Sequence, residues 1–185
     1  IVVDADEILA GADNGVVTGE QIAEHVLKRG DADRYEILAP YLSDGEKSDM
    51  PNVRFYWDFF AKGKPAYVEI SYLSLPDAAA LIHSAGGAAV LEHPGQNLGG
   101  DDELLDQITE EKIDGIEVFS SYHSREQALH YLEAAEQKGL FVTCGSDFHG
   151  KNKPNIVLGG HNALWSDERL TSELKKCSLW KLPVL

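Results

Sequence analysis

Two rhythms of apolar and polar positions divide the chain near Lys64. Up to about residue 62 the apolar residues recur at helical spacing. Ile22, Ala23, Val26 and Leu27 make one face. Thr18 with Gln21 forms a capping box ahead of it, and Gly30 is the expected stop. A second helix is expected over Asp33 to Ala39, ending before Pro40. Ser43 to Pro51 is polar and holds Gly and Pro, which predicts a loop. Val53-Arg-Phe-Tyr-Trp-Asp-Phe-Phe60 is dense in aromatics, as the packed face of a helix or a docking stripe for a partner would be.

From Lys64 onward, helical patterns alternate with short apolar runs. Ser74, Pro76 and Asp77 open a helix carrying Ala78, Leu81, Ile82 and Ala85, closed by Gly86-Gly87. Ala88 to Glu92 reads as a strand leading into His93-Pro94-Gly95. Asp102 to Glu111 reads as a helix with Leu104, Leu105 and Ile108 inward. Gly115 to Phe119 is the next strand, followed by Ser120-Ser-Tyr-His123. Ser124 and Gln127 cap a helix through Ala128, Leu129, Leu132 and Ala135 that stops at Gly139. Leu140 to Cys144 is a third strand, Ile156 to Leu158 a short fourth, and Asp167 to Lys176 a last helix. Helices and strands joined by short links predict βα units with parallel strands. The organisation expected is a helical region over residues 1–63 and an α/β region over residues 64–185.

Composition narrows the partners. The 185 residues carry 31 acidic against 16 basic side chains, a formal charge of -15. That balance argues against a broad nucleic-acid or anionic-membrane footprint. It leaves room for a phosphate ester whose charge bound metals would neutralise locally. Cys144 and Cys177 stand far apart and read as free thiols of a reducing, cytoplasmic compartment. No run of 18 apolar residues predicts a membrane span. The first residue is Ile, as in a cleaved product or a piece of a longer protein.

Chemistry gathers where the predicted strands end. The first ends at His93, the second is followed by His123, and the third runs into Gly145-Ser-Asp-Phe-His-Gly150. In a parallel α/β fold the carboxyl ends of the strands share one face, so these side chains converge. His93, Asp147 and His149 suit a borderline divalent ion such as zinc, manganese or iron. His123 fits a metal ligand, a phosphate contact or a general acid. The rival for the D-x-H turn is a surface loop with an incidental His. His25, His83 and His130 fall within predicted helices and His161 in a loop, where structural or solvated roles are expected. Lys151 and Lys153 either screen a phosphate or are solvated. No G-x-x-x-x-G-K-[ST], G-x-S-x-G or C-x-x-C is present.

Taken together, Gly86-Gly-Ala-Ala-Val-Leu-Glu-His-Pro94, Asp114-Gly-Ile-Glu-Val-Phe-Ser-Ser-Tyr-His-Ser124 and Gly145-Ser-Asp-Phe-His-Gly150 resemble the PHP (polymerase and histidinol phosphatase) superfamily, in its branch of small metal-dependent phosphoesterases. The resemblance covers about Lys64 to Asn162. It implies a distorted (β/α)7 TIM-like barrel with two or three metal ions at the strand carboxyl ends. It casts His93, Asp147 and His149 as metal ligands, and His123 as a residue lining the substrate side. The implied substrates are nucleotides or short oligonucleotides.

One departure qualifies the resemblance. The family opens on an H-x-H pair, and this chain has none. The expectation is therefore the carboxyl-terminal part of a longer enzyme, a partial barrel with a helical insertion at its amino-terminal end. Such a piece is expected to be inactive alone and to need a missing amino-terminal half or a homodimer partner. The alternatives are a non-catalytic binding or regulatory module derived from a PHP domain, and an amidohydrolase of similar barrel type.

Overall fold

A computed structural model describes residues 1–177. The described residues form two compact units, one of Ile1–Ser71 with His149–Asn155, the other of Tyr72–Phe148 with residues 156–177.

The first unit is helical. It holds α1 (Ala5–Ala10), α2 (Gly19–Leu27) and α3 (Pro51–Phe59), with short 3-10 segments at Ala32–Arg34 and Glu36–Tyr41. The Thr18 hydroxyl accepts from the Gln21 amide and the Gln21 side chain accepts from the Thr18 amide, so the capping box forms. α2 ends at Leu27 with Lys28 as its cap, short of the expected Gly30. The expected helix over Asp33–Ala39 is instead the pair of 3-10 turns, with Pro40 inside the second. Pro40 offers no N–H, and the tighter winding suits short pieces. The aromatic stretch is a packed face: Phe55 is buried with Ala23, Val26, Leu38 and Tyr41, and its ring lies 4.4 Å from Phe59. Tyr41 Oη and Lys47 Nζ both donate to Asp58 Oδ2, at 2.5 and 2.6 Å.

The second unit is α/β. Strands β1 (Val90–Leu91), β2 (Gly115–Ser120) and β3 (Phe141–Gly145) form one parallel sheet in the order β1-β2-β3. Around it stand α4 (Leu75–Ser84), α5 (Pro94–Asn97), α6 (Asp102–Thr109), α7 (Arg125–Lys138) and α8 (Asp167–Leu174). β2 is central, and Ile116, Val118 and Phe119 are wholly buried. They pack with Leu105, Ala128, Tyr131, Ala135, Val142 and Leu170 from α6, α7, β3 and α8. The Ser124–Gln127 capping box opens α7, and Gly139 ends it at φ 69°, the left-handed cap that glycine adopts without penalty.

Four expectations fail here, the inward packing of Leu104 on α6 among them, since it is 38% exposed. β1 has two residues, not the five of Ala88–Glu92. α4 buries Ala79, while Leu81 is 59% exposed and Ile82 is exposed as well. Its anchor is polar: His83 Nε2 lies 2.6 Å from Asp114 Oδ2, which also accepts from the Ala89 amide at 2.7 Å. Ile156 to Leu158 forms no strand, and Val157 is 71% exposed. Cys144 and Cys177 are free thiols, as expected.

Candidate functional site

The three parallel strands deliver their carboxyl ends to one edge of the second unit. Two of the predicted ligands leave that edge in backbone conformations that side chains rarely adopt. His93 follows β1 at φ 20° and Asp147 follows β3 at φ 56°. Non-glycine residues there store on the order of 1–3 kcal/mol each, and such strain concentrates at functional sites.

His93 and Asp147 meet through Tyr122. The Tyr122 hydroxyl donates to Asp147 Oδ2 at 2.5 Å, and its ring stands edge-on to the His93 imidazole, 5.6 Å away at 86°. Ser121 Oγ donates to the Ser146 carbonyl at 2.9 Å and ties the turns after β2 and β3. His93 is 14% exposed, and its Nδ1 is buried without a hydrogen-bond partner.

Glu117 is the neighbour that sequence reasoning missed. It is the lone carboxylate in the apolar run Gly115-Ile-Glu-Val-Phe119, and its Oε1 is buried and unpaired. Burial pushes its carboxyl above the usual range. The nearby His93 opposes that shift, and Glu92 and Asp147 add to it. Gly145 on β3 makes room for it: a Cβ there would lie 2.6 Å from Glu117 Oε2. A carboxylate inside an otherwise apolar central strand was the available signal. Tyr122 gave no comparable one.

His123 is placed differently from the other three. It is 2% exposed, and both ring nitrogens are engaged. Nδ1 lies 2.8 Å from the Val118 carbonyl, and Nε2 accepts from the Gly95 amide at 3.0 Å. A carbonyl only accepts and an amide only donates, so the ring is neutral and carries its proton on Nδ1. Burial also lowers its pKa. In this geometry neither nitrogen faces a substrate. His149 is exposed and belongs to the first unit, ahead of the 3-10 turn Gly150–Asn152. In that unit Lys151 Nζ pairs with Glu24 at 2.5 Å.

The donors near β1 and β3 suit a divalent ion: an unpaired imidazole nitrogen, an unpaired carboxylate oxygen and the Asp147 carboxylate are N and O ligands. Among the described residues, no three His, Cys, Asp or Glu side chains gather closely enough to hold a metal unaided. Among those residues too, no helix is long and apolar enough to cross a membrane.

Comparison with models of known protein families finds no match. The chain is 35% identical over 126 residues to a 3′,5′-nucleoside bisphosphate phosphatase of Chromobacterium violaceum, covering 66% of this chain and 44% of that protein. It is 31% identical over 146 residues to the 5′-3′ exoribonuclease Rnm of Escherichia coli K12, covering 77% and 48%. A solved structure from Bifidobacterium adolescentis, provisionally assigned as a metal-dependent phosphoesterase, superposes with a TM-score of 0.65 at 26% identity, covering 94% of this chain and 56% of that one. The chain thus spans about half the length of the curated relatives it matches. The relatives that the chain matches are PHP-type phosphoesterases, and it is to part of such a protein that the chain is similar.

Proposed function

We propose that this chain is the carboxyl-terminal portion of a metal-dependent phosphoesterase that hydrolyses nucleotides or short oligonucleotides. The supporting observation is the meeting of His93 and Asp147 through Tyr122 at the carboxyl edge of a parallel sheet. The similarity to a nucleotide phosphatase and an exoribonuclease points to the same chemistry. The three strands are then part of a distorted (β/α)7 barrel, completed by a missing amino-terminal half or by a second copy of the chain.

His93, Asp147 and His149 are the residues that would hold the metal ions, with manganese, zinc and iron all compatible with N and O donors. A divalent ion held by them would supply a water of lowered pKa and positive charge toward phosphoryl oxygens. Tyr122 holds the Asp147 carboxylate in one orientation. Glu117 adds negative charge beside His93, which favours a cation. The expected role of His123 as acid or phosphate contact needs its bond to the Gly95 amide to open first. The chain alone is proposed to be inactive.

The test is manganese-dependent release of phosphate from a 3′,5′-bisphosphorylated nucleotide. It is run on this chain and on the same chain joined to any coding sequence that precedes it. Activity in the longer protein that survives Asp147→Ala unchanged overturns the assignment. The alternative is a non-catalytic binding or regulatory module. It predicts no activity in either protein.

A further inference from the structure

We propose that His123 is a positioning residue: its imidazole staples the turn that carries His93 to the bulge in β2, and it is neither a metal ligand nor the acid.

Three features converge on this ring. The register of β2 against β3 pairs Glu117 with Thr143 and Phe119 with Cys144, so Val118 is an extra residue on β2. A bulge of this kind disrupts the ladder at the inserted residue. The Val118 carbonyl accepts from His123 Nδ1–H at 2.8 Å. On the other side of the ring, Pro94–Asn97 is a single helical turn in which the Gln96 and Asn97 amides donate to the His93 carbonyl and the Gly95 amide finds no partner within the turn. The Gly95 amide donates to His123 Nε2 at 3.0 Å. His93 immediately precedes this turn at φ 20°, a conformation that needs to be held from outside.

The fit is tight and one-sided. A Cβ on Gly95 would lie 2.7 Å from His123 Cδ2 and 2.9 Å from Nε2, so the backbone of the turn rests on the ring. The ring lies 5.0 Å from that of Tyr131 on α7, and Asn162 Nδ2 donates to the His123 carbonyl at 3.2 Å. Only a neutral imidazole with Nδ1 protonated supplies a donor to Val118 and an acceptor to Gly95 together. His123 thus links β1's turn to β2 across 28 residues of sequence. This rests on the proposed function only in treating His93 as a ligand.

The experiment uses the full chain, labelled with nitrogen-15. Long-range proton–nitrogen spectra are expected to show His123 as the Nδ1–H tautomer, and the Gly95 amide to exchange slowly. His123→Gln places an amide oxygen near Nε2 and restores the Gly95 bond. His123→Asn restores only the donor towards Val118. Gln is expected to keep Gly95 protected and His93 in its edge-on site against Tyr122, read from the His93 ring shifts. Asn is expected to lose both, and to weaken the zinc midpoint of the His93 signals by about 10-fold, as for residues that orient a ligand.

An Nε2–H tautomer in the wild type overturns the proposal. So does zinc that strips Gly95 of its protection and moves the His123 nitrogens, since that marks a ligand. Equal His93 shifts in the Gln and Asn variants overturn it too, because the role is then merely structural. If zinc moves no signal of His93, the metal-site reading fails. The tautomer, the Gly95 exchange and the metal-free His93 shifts still decide this proposal.

Discussion

Tyr122 donates its hydroxyl to Asp147 at 2.5 Å while its ring stands edge-on to His93, so one side chain touches both of the residues proposed to hold a metal in the α/β unit. Tyr122→Phe keeps the ring and removes the bond. Groups that orient a ligand typically account for about 10- to 100-fold in metal affinity or activity. The expected loss is about 10-fold in manganese-dependent phosphoesterase activity of the longer protein, read from a manganese titration. A change below twofold means Asp147 is held by other contacts.

Glu117 sets stability against function. Its folded pKa is raised, chiefly by burial. Its contribution to stability is therefore present below the ordinary Glu range and is lost as pH rises through the folded value. Glu117→Gln removes that penalty. The variant is expected to be more stable than wild type at pH 8, by about 1 kcal/mol, and to lose the advantage near pH 4. Thermal unfolding at the two pH values checks the sign. The same variant is expected to bind manganese more weakly.

The neutral, buried His123 gives the α/β unit an acid sensitivity. Its folded pKa is lowered by burial. As pH falls below about 6.5, the unfolded chain takes up a proton that the folded chain refuses. Stability is expected to decline from that point until the pH reaches the depressed folded value. His123→Gln is expected to flatten the decline in a series of urea melts between pH 7.5 and pH 5.

Gly95 has no space for a methyl group, because the nearby ring atoms are buried and fixed from both sides. Gly95→Ala is expected to destabilise the chain by about 1–3 kcal/mol, the usual cost of overpacking. Equilibrium unfolding with two probes measures it.

In the helical unit, Tyr41 and Lys47 both donate to Asp58 and hold its carboxyl below the ordinary range. A third of the Asp58 side chain is exposed, so solvent screens the pair. Asp58→Asn is expected to cost about 1 kcal/mol at pH 7. The difference should vanish as pH falls through the depressed Asp58 value, since protonation of the wild type removes the same charge.

Local signals were legible wherever the physics is local. The capping boxes at Thr18 and Ser124, the stop at Gly139 and the central strand, expected over Gly115 to Phe119 and one residue longer, all follow from a few adjacent residues, and all are present. The convergence of His93 and Asp147 was also readable, because parallel strands bring their carboxyl ends to one edge whatever lies between them. What adjacent residues could not decide is which side chains partner one another across the fold. His83 pairs with Asp114, while Leu81 and Ile82 on the same helix stand exposed. A bulge at Val118 and an open amide at Gly95 claim both nitrogens of His123. Glu117 lies in space left by Gly145, and Tyr122 bonds Asp147 across the strand ends. Sequence determined the elements and the residue types at their ends, because capping and alternation act over a few bonds. The tertiary structure alone decided their partners, because hydrogen bonds saturate: a nitrogen that already has a partner has its lone pair or proton engaged.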